Sequence, residues 1–399
     1  MKIENPSSRY FDKKPLSSKI RQKGLSKFTY QLFDIAKKER DFLLIVLILI
    51  VLCALFAPYK PVAMWVGFAL ASYSAIANDS IQTLGTFIAS NSHRKWWYLW
   101  IFIGLIFVGT VTYSWVMYEG DVSYQRLTSK GFSEAPQAFS FLQLFAPVAL
   151  LVLTRIRIPV STTFLLLNIF ATDANALIGV VKKSFYGYFV SFFIAIVIWY
   201  LASLLFSKYL KVKPGKGWVV LQWITSGCLW SAWLMQDAAN TAVFLPRSLN
   251  FIEFLIFTVF IFFGLGLLFY LKGDRLQKVV SEKAGITDVR AATLVDVVYV
   301  SILYYFMSFN NVPMSTTWVF IGLLGGRELA ISLTKRKAKK RRKSLKKSFK
   351  FIKRDLSYAF LGLLISIILA ISVNPVIKKA GKELWGNLLT LAADFLKNN

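Results

Sequence analysis

The chain has 399 residues, 56% of them hydrophobic, and its 48 Lys and Arg against 20 Asp and Glu give a net charge of +28. The apolar residues come in long runs rather than in the alternation of a soluble domain, and the basic residues gather in an N-terminal arm, short loops and one dense run, so the surplus is not a nucleic-acid footprint. Cys53 and Cys228 fall inside apolar runs and the lone His93 in a basic turn; this excludes a disulfide framework, a Cys/His metal centre and His-based catalysis.

In chain order, residues 1–41 read as a basic cytoplasmic arm, too long and too polar before the first apolar run for a signal peptide, with an interfacial helix near residues 25–40. Apolar segments follow at 42–58, 61–90, 96–118, 139–154, 158–180, 185–206, 218–246, 251–271, 289–309, 312–334 and 356–373. About 18 apolar residues cross about 30 Å of hydrocarbon as helix. The expected fold is therefore an all-α polytopic membrane protein with about 11 membrane segments, because helices satisfy their own backbone in lipid. The expected address is the cell membrane, of bacterial inner-membrane type, with the N-terminus cytoplasmic.

Basic loops set this orientation. His93-Arg94-Lys95, Arg155 with Arg157, the 207–217 linker, the 272–290 loop and the 335–354 loop all fall on the cytoplasmic side. The last holds 13 basic residues and no acidic one, which suits contact with anionic lipid. Lys182-Lys183 is the exception and falls outside. The segment 42–60 is an extra helix, and 374–399 is a tail with interfacial amphipathic character. Segments 61–90 and 218–246 are too long for one straight crossing and carry polar clusters mid-way, which predicts broken or re-entrant helices.

These clusters recur. Asn78-Asp79-Ser80-Ile81-Gln82-Thr83 is matched by Gln236-Asp237-Ala238-Ala239-Asn240-Thr241, and Pro159-Val160-Ser161-Thr162-Thr163 by Pro313-Met314-Ser315-Thr316-Thr317. Asp79 lies 82 residues before Ser161, and Asp237 lies 78 before Ser315. The matched segments run in opposite directions through the bilayer, so residues 61–206 and 218–373 read as two inverted-topology repeats meeting near the midplane.

A charge at mid-bilayer costs about 2.5–3.5 kcal/mol and so faces a cavity or a partner. Asp79 and Asp237, with Asn78, Gln82, Gln236 and Asn240, form a hard-oxygen set suited to Na⁺ or a proton; no other metal or cofactor is implied. Pro-x-Ser-Thr-Thr starts a helix, and a helix start with free N–H groups and hydroxyls suits an oxyanion. Asp173 and Asn175 lie near the same cavity or at a helix end. Arg327 and Glu328 read as a structural pair, Asp296 and Glu253 as polar contacts near helix ends.

The duplicated motifs resemble those of the inorganic phosphate transporter family over residues 61–373. The resemblance implies symport of phosphate with Na⁺ or H⁺. Ser161, Thr162, Thr163, Ser315, Thr316 and Thr317 would surround the anion, Asp79 and Asp237 would help fix it, and the same acids with their amide neighbours would serve the cation. Gln82 and Gln236 stand where the family has Asn, each longer by one C–C bond of about 1.5 Å. Phe164 and Trp318 stand where the family often has His.

Phosphate transport is thus the first expectation, with a homodimer and the lipid bilayer as partners, no nucleic acid and no enzymatic activity. Sulfate or another oxyanion on the same architecture is the second. An intramembrane aspartyl enzyme using Asp79 and Asp237 leaves both Ser-Thr-Thr triplets unexplained, and a receptor or regulatory subunit is the remaining alternative.

Overall fold

A computed structural model describes residues 39–156, 158, 160–206, 214–270, 288–335, 337–383, 386 and 390, without the side chains of residues 80–82 and 204–206. The basic arm, most of the 207–217 linker, most of the 272–290 loop, the end of the tail, Pro159 and the Gln82 side chain lie outside the described residues. The chain divides into two compact units, residues 1–51 and 52–399. In the first, the described residues are the opening of helix α1 (Arg40–Phe56).

The second unit is helical throughout its described elements. It contains α2 (Lys60–Thr83), α3 (Gly85–Ser90), α4 (Trp96–Met117) and α5 (Phe141–Arg155). A widened turn at Thr163–Leu167 and a tight one at Asn168–Phe170 follow, then α6 (Ala174–Phe206). The second half of the chain supplies α7 (Lys216–Asp237), α8 (Ala239–Ala242), α9 (Phe251–Tyr270), α10 (Val289–Phe309), α11 (Thr316–Leu333) and α12 (Ala338–Val373). Among the described residues, five helices are long and apolar enough to cross a bilayer: α4, α6 through Ser203, α9, α10 and α12. Leu105 on α4, Phe193 on α6 and Phe263 on α9 are each 60% exposed or more. Apolar side chains this bare suit hydrocarbon, where no hydrophobic penalty attaches to them.

Both oversized segments are interrupted beside their polar cluster, at Leu84 between α2 and α3 and at Ala238 between α7 and α8. Both residues keep right-handed helical dihedrals, so the hydrogen-bond ladder is disturbed without the chain unwinding. Thr83 contributes to this by turning its hydroxyl back onto the Asp79 carbonyl, 3.0 Å away, and Thr241 does the same to Ala238 at 3.0 Å. Such back-bonding bends helices.

Residues 158–206 differ from the two crossings expected there. The structure has a short buried helical stretch ending at Phe170 and then one unbroken helix, α6, of 33 residues. At 1.5 Å per residue α6 is about 50 Å long, so Lys182 and Lys183 sit within its first turns rather than in a loop. Its partner is α11. The spacing Gly322-x-x-x-Gly326 on α11 lets the backbones touch. A Cβ on Gly322 would strike Ser191 and the Tyr188 carbonyl, and one on Gly326 would strike the Phe192 carbonyl. Small residues four apart are a common device for close helix approach in membranes. Around them, α5 packs on α2 as α10 packs on α7, α9 packs on α2 as α4 packs on α7, and α4 packs on α9.

Candidate functional site

The two Ser-Thr-Thr triplets come side by side. Ser315 caps α11 by accepting the Trp318 N–H at 3.3 Å, and Ser161 accepts the Phe164 N–H in the same way at 3.2 Å. Each cap satisfies one of the N–H groups left free at a helix start. The aromatic residues that follow the triplets, Phe164 and Trp318, meet edge to face with ring centroids 6.2 Å apart. The Thr163 hydroxyl donates to the Met314 carbonyl at 3.3 Å, joining one triplet to the strand of chain entering the other.

The carboxylates lie against these hydroxyls. Asp237 accepts from Thr163 at 3.2 Å and from Thr316 at 2.6 Å, one threonine from each triplet. Asn240, one turn on, reaches Asp237 at 2.7 Å, Thr162 at 2.9 Å and Thr163 at 3.3 Å through its amide nitrogen. Asp79 hydrogen-bonds Thr162, and the Asp237 charge acts on it. Asn78 donates to Asp79 at 2.8 Å and to the Val160 carbonyl at 2.9 Å, and its own oxygen accepts from Thr154. One hydroxyl and one amide therefore link the two carboxylates. Asp79 and Asn240 are wholly buried, and Asn78, Asp237 and all six triplet residues are nearly so.

Several atoms at this cluster are left over. Both amide atoms of Gln236, the Asn240 carbonyl oxygen and the Thr317 hydroxyl are buried with no hydrogen-bond partner. Buried polar groups in native proteins are paired in the great majority of cases, so such a concentration marks a place built for something polar. Gln236 and Asn240 offer oxygens for a cation; the Thr317 hydroxyl and the Gln236 N–H offer donors for an anion. Against Asp237 lies a cavity of about 30 Å³, lined also by Ser72, Trp230 and Trp233 among others, with room for a water. The Ser72 hydroxyl and both indole N–H groups there are also unpaired.

Of the predicted site residues, Asn78, Asp79, Ser161, Thr162, Thr163, Asp237, Asn240, Ser315 and Thr316 are brought together by these bonds. Thr317 and Gln236 are buried beside them on the chain without a bond of their own. Asp173 caps the start of α6, taking the Asn175 N–H at 2.9 Å, which settles it as a helix-end residue. Glu253 and Asn250 cap α9 reciprocally. Arg327 pairs with Glu328 at 2.9 Å.

Asp296 departs from its expected place near a helix end. It lies in the body of α10, wholly buried, with Thr86 donating to it at 3.0 Å and Ser226 donating to its other oxygen. Sequence reasoning also missed Tyr299, whose hydroxyl meets the Thr316 carbonyl at 2.9 Å. It missed Ser184, which accepts the Ser315 N–H at 2.8 Å. The signal for Ser184 was present in its neighbours, the lysine pair that broke the charge asymmetry.

No protein-family profile, no curated protein and no solved structure matches this chain. The class that the fold defines is a helical, multi-pass membrane protein, and the functional reading rests on the geometry of its buried cluster.

Proposed function

We propose that this chain is a cation-coupled secondary transporter of inorganic phosphate, with Na⁺ or H⁺ as the coupling ion. The two halves form an inverted repeat and alternate access about the Asp79–Asp237 cluster. One observation carries the reading: both copies of both motifs meet at a single buried cluster, with hydroxyls from the two triplets on one carboxylate and unpaired donors and acceptors beside it. A purely structural polar contact would consume its own hydrogen bonds; this one leaves acceptors for a cation and donors for an anion.

The packing supports the repeat. Helices α2, α4 and α5 make the same set of contacts as α7, α9 and α10. Structural duplications of this kind place substrate sites at the bilayer midplane in many transporters. An aspartyl enzyme built on the two carboxylates would leave unexplained the hydroxyls that both triplets place on Asp237.

The test is uptake of labelled phosphate by proteoliposomes under imposed Na⁺ and pH gradients, with unlabelled phosphate, sulfate and arsenate as competitors. Uptake that follows one cation gradient and yields to phosphate and arsenate before sulfate is the expected result. Preferential competition by sulfate would keep the architecture and change the substrate. No uptake of any oxyanion under either gradient would refute the reading.

A further inference from the structure

Two cations stand next to the cluster with no acidic partner among the described residues. Arg126 lies in the 118–140 connection and is 2% exposed. Its Nη1 donates to the Asn310 carbonyl at 2.8 Å and its Nε to the Met235 carbonyl at 3.4 Å, two residues before Asp237. Lys183, on α6, donates through Nζ to the same Asn310 carbonyl at 3.2 Å, to Asn310 Oδ1 at 2.9 Å and to the Val312 carbonyl at 2.8 Å. The next residue, Ser184, holds the N–H of Ser315. The pair thus grips the turn that leads into the second triplet.

Among the described residues neither cation lies within ion-pair distance of a carboxylate. Two positive groups converging on one neutral carbonyl repel each other, and removal from water strengthens that repulsion. Burial pushes the Arg126 guanidinium down to about 10, with Tyr118 and Asp237 opposing the change. The backbone is also forced here. Tyr124 and Gln125, immediately before Arg126, both have left-handed φ, 52° and 58°. Non-glycine residues held there are uncommon and gather at functional sites. Lys183 is partly exposed and Arg126 buried, so positive charge runs inward from the lysine to the arginine at the Met235 carbonyl, two residues before Asp237.

We propose that Arg126 and Lys183 form an anion-selecting vestibule that binds a doubly charged inorganic oxyanion before it reaches the Ser-Thr-Thr hydroxyls. The proposal rests on the transport reading above and supplies what the central cluster lacks. That cluster has two carboxylates and neutral donors, so a dianion approaching it alone meets net repulsion. The arginine and lysine reverse the sign of the field along the approach, and a dianion in turn balances both of them.

The test compares wild type with Arg126→Gln and Lys183→Gln, which keep an N–H donor and lose the charge, and with Arg126→Lys and Lys183→Arg, which keep the charge. In proteoliposomes the Gln variants should raise KM for phosphate about tenfold or more, the worth of about 1.4 kcal/mol, with the maximal rate much less affected. The charge-keeping variants should stay near wild type. An unchanged KM in both Gln variants overturns the proposal. A readout independent of transport is the rise in melting temperature of detergent-purified protein on adding phosphate or sulfate. Loss of that rise in the Gln variants supports the vestibule even if wild type transports neither ion, in which case only the transport reading fails; an equal rise overturns the vestibule. Should the Gln variants fail to fold, acylation of Lys183 in the unaltered chain, read by mass spectrometry, decides it. Protection by phosphate supports the site, and equal labelling with and without phosphate overturns it.

Discussion

The two Ser-Thr-Thr segments begin alike and end differently. Ser161 and Ser315 each accept the N–H three residues on. After that the second segment continues as α11, an 18-residue helix, whereas the first ends at Phe170 after a widened and then a tightened turn. The start is a local matter of one hydroxyl and one N–H, and both copies have it. The length is decided by what lies alongside. Gly322 and Gly326 let α11 lie against the backbone of α6. The first segment has Asn168 and Thr172 at the matching intervals, where the second has glycine. It is instead stopped by Asn374, whose amide nitrogen meets the Ile169 carbonyl at 3.2 Å and the Ala171 carbonyl at 2.7 Å. The two segments are alike at their caps and differ beyond them.

The largest expected effect tests whether the two like segments share one task. Asp237→Asn and Asp79→Asn should each reduce phosphate uptake to that of empty liposomes while leaving the protein folded, since the amide is the same size. Asp237 accepts from Thr163, Thr316 and Asn240, so Asn there also turns one acceptor into a donor facing hydroxyls. Full uptake by either variant would remove that carboxylate from the coupling site.

Next comes the contact that only the second segment has. Gly326→Leu drives a side chain into the Phe192 carbonyl and should destabilise by 3 kcal/mol or more, about the upper end for overpacking, read as loss of a monodisperse peak in detergent. Gly325→Ala is the control. Its Cβ would first meet the Ile352 and Phe192 side chains, at an ordinary 3.4 Å, and the variant should stay near wild type. Equal loss in both would mean that the α6–α11 approach does not depend on Gly326.

Much of this was legible beforehand, for reasons that particular residues show. Duplicated motifs with matching separation pointed to Asp79, Asp237 and the triplets, because a charge or a hydroxyl run stands out inside apolar sequence. Helix starts were legible because caps are local. What was not legible needed long-range contacts. The single helix α6 looked like two segments because Lys182-Lys183 interrupts the apolar run, and nothing nearby in sequence announces that Lys183 is held by Asn310 and Val312. Asp296 looked peripheral because its two donors, Thr86 and Ser226, lie 210 and 70 residues away.

Asp296 sharpens the comparison between a buried acid proposed to work and one that holds. Both of its oxygens are taken by hydroxyls, and the Gln236 and Asn240 type of leftover atom is absent from its bonded neighbours, Thr86 and Ser226. Asp296→Asn should therefore lower stability by about 1–3 kcal/mol, the penalty for a mispaired buried polar group, with phosphate KM unchanged. Loss of uptake in a stable Asp296→Asn protein would promote it to the transport machinery.

The smallest effect concerns a cap made of the same chemistry as Ser315 but placed where water can replace it. Asp288 starts α10, accepting the Arg290 N–H at 2.8 Å and pairing with its guanidinium at 2.7 Å. Asp288→Ala should destabilise by about 0.5–2 kcal/mol, towards the low end because the pair is partly exposed. The Arg290 side chain, ahead of the backbone N–H groups, holds the Asp288 carboxyl below its ordinary value of 3.8. A depressed folded-state value means that the contribution is fully present above that ordinary value and fades only as pH falls through the lower one. Wild type and Asp288→Ala should thus differ by a constant amount at neutral pH and converge in strong acid. A gap that instead widened on acidification would show that the cap, unlike Ser315, is not what the carboxylate contributes.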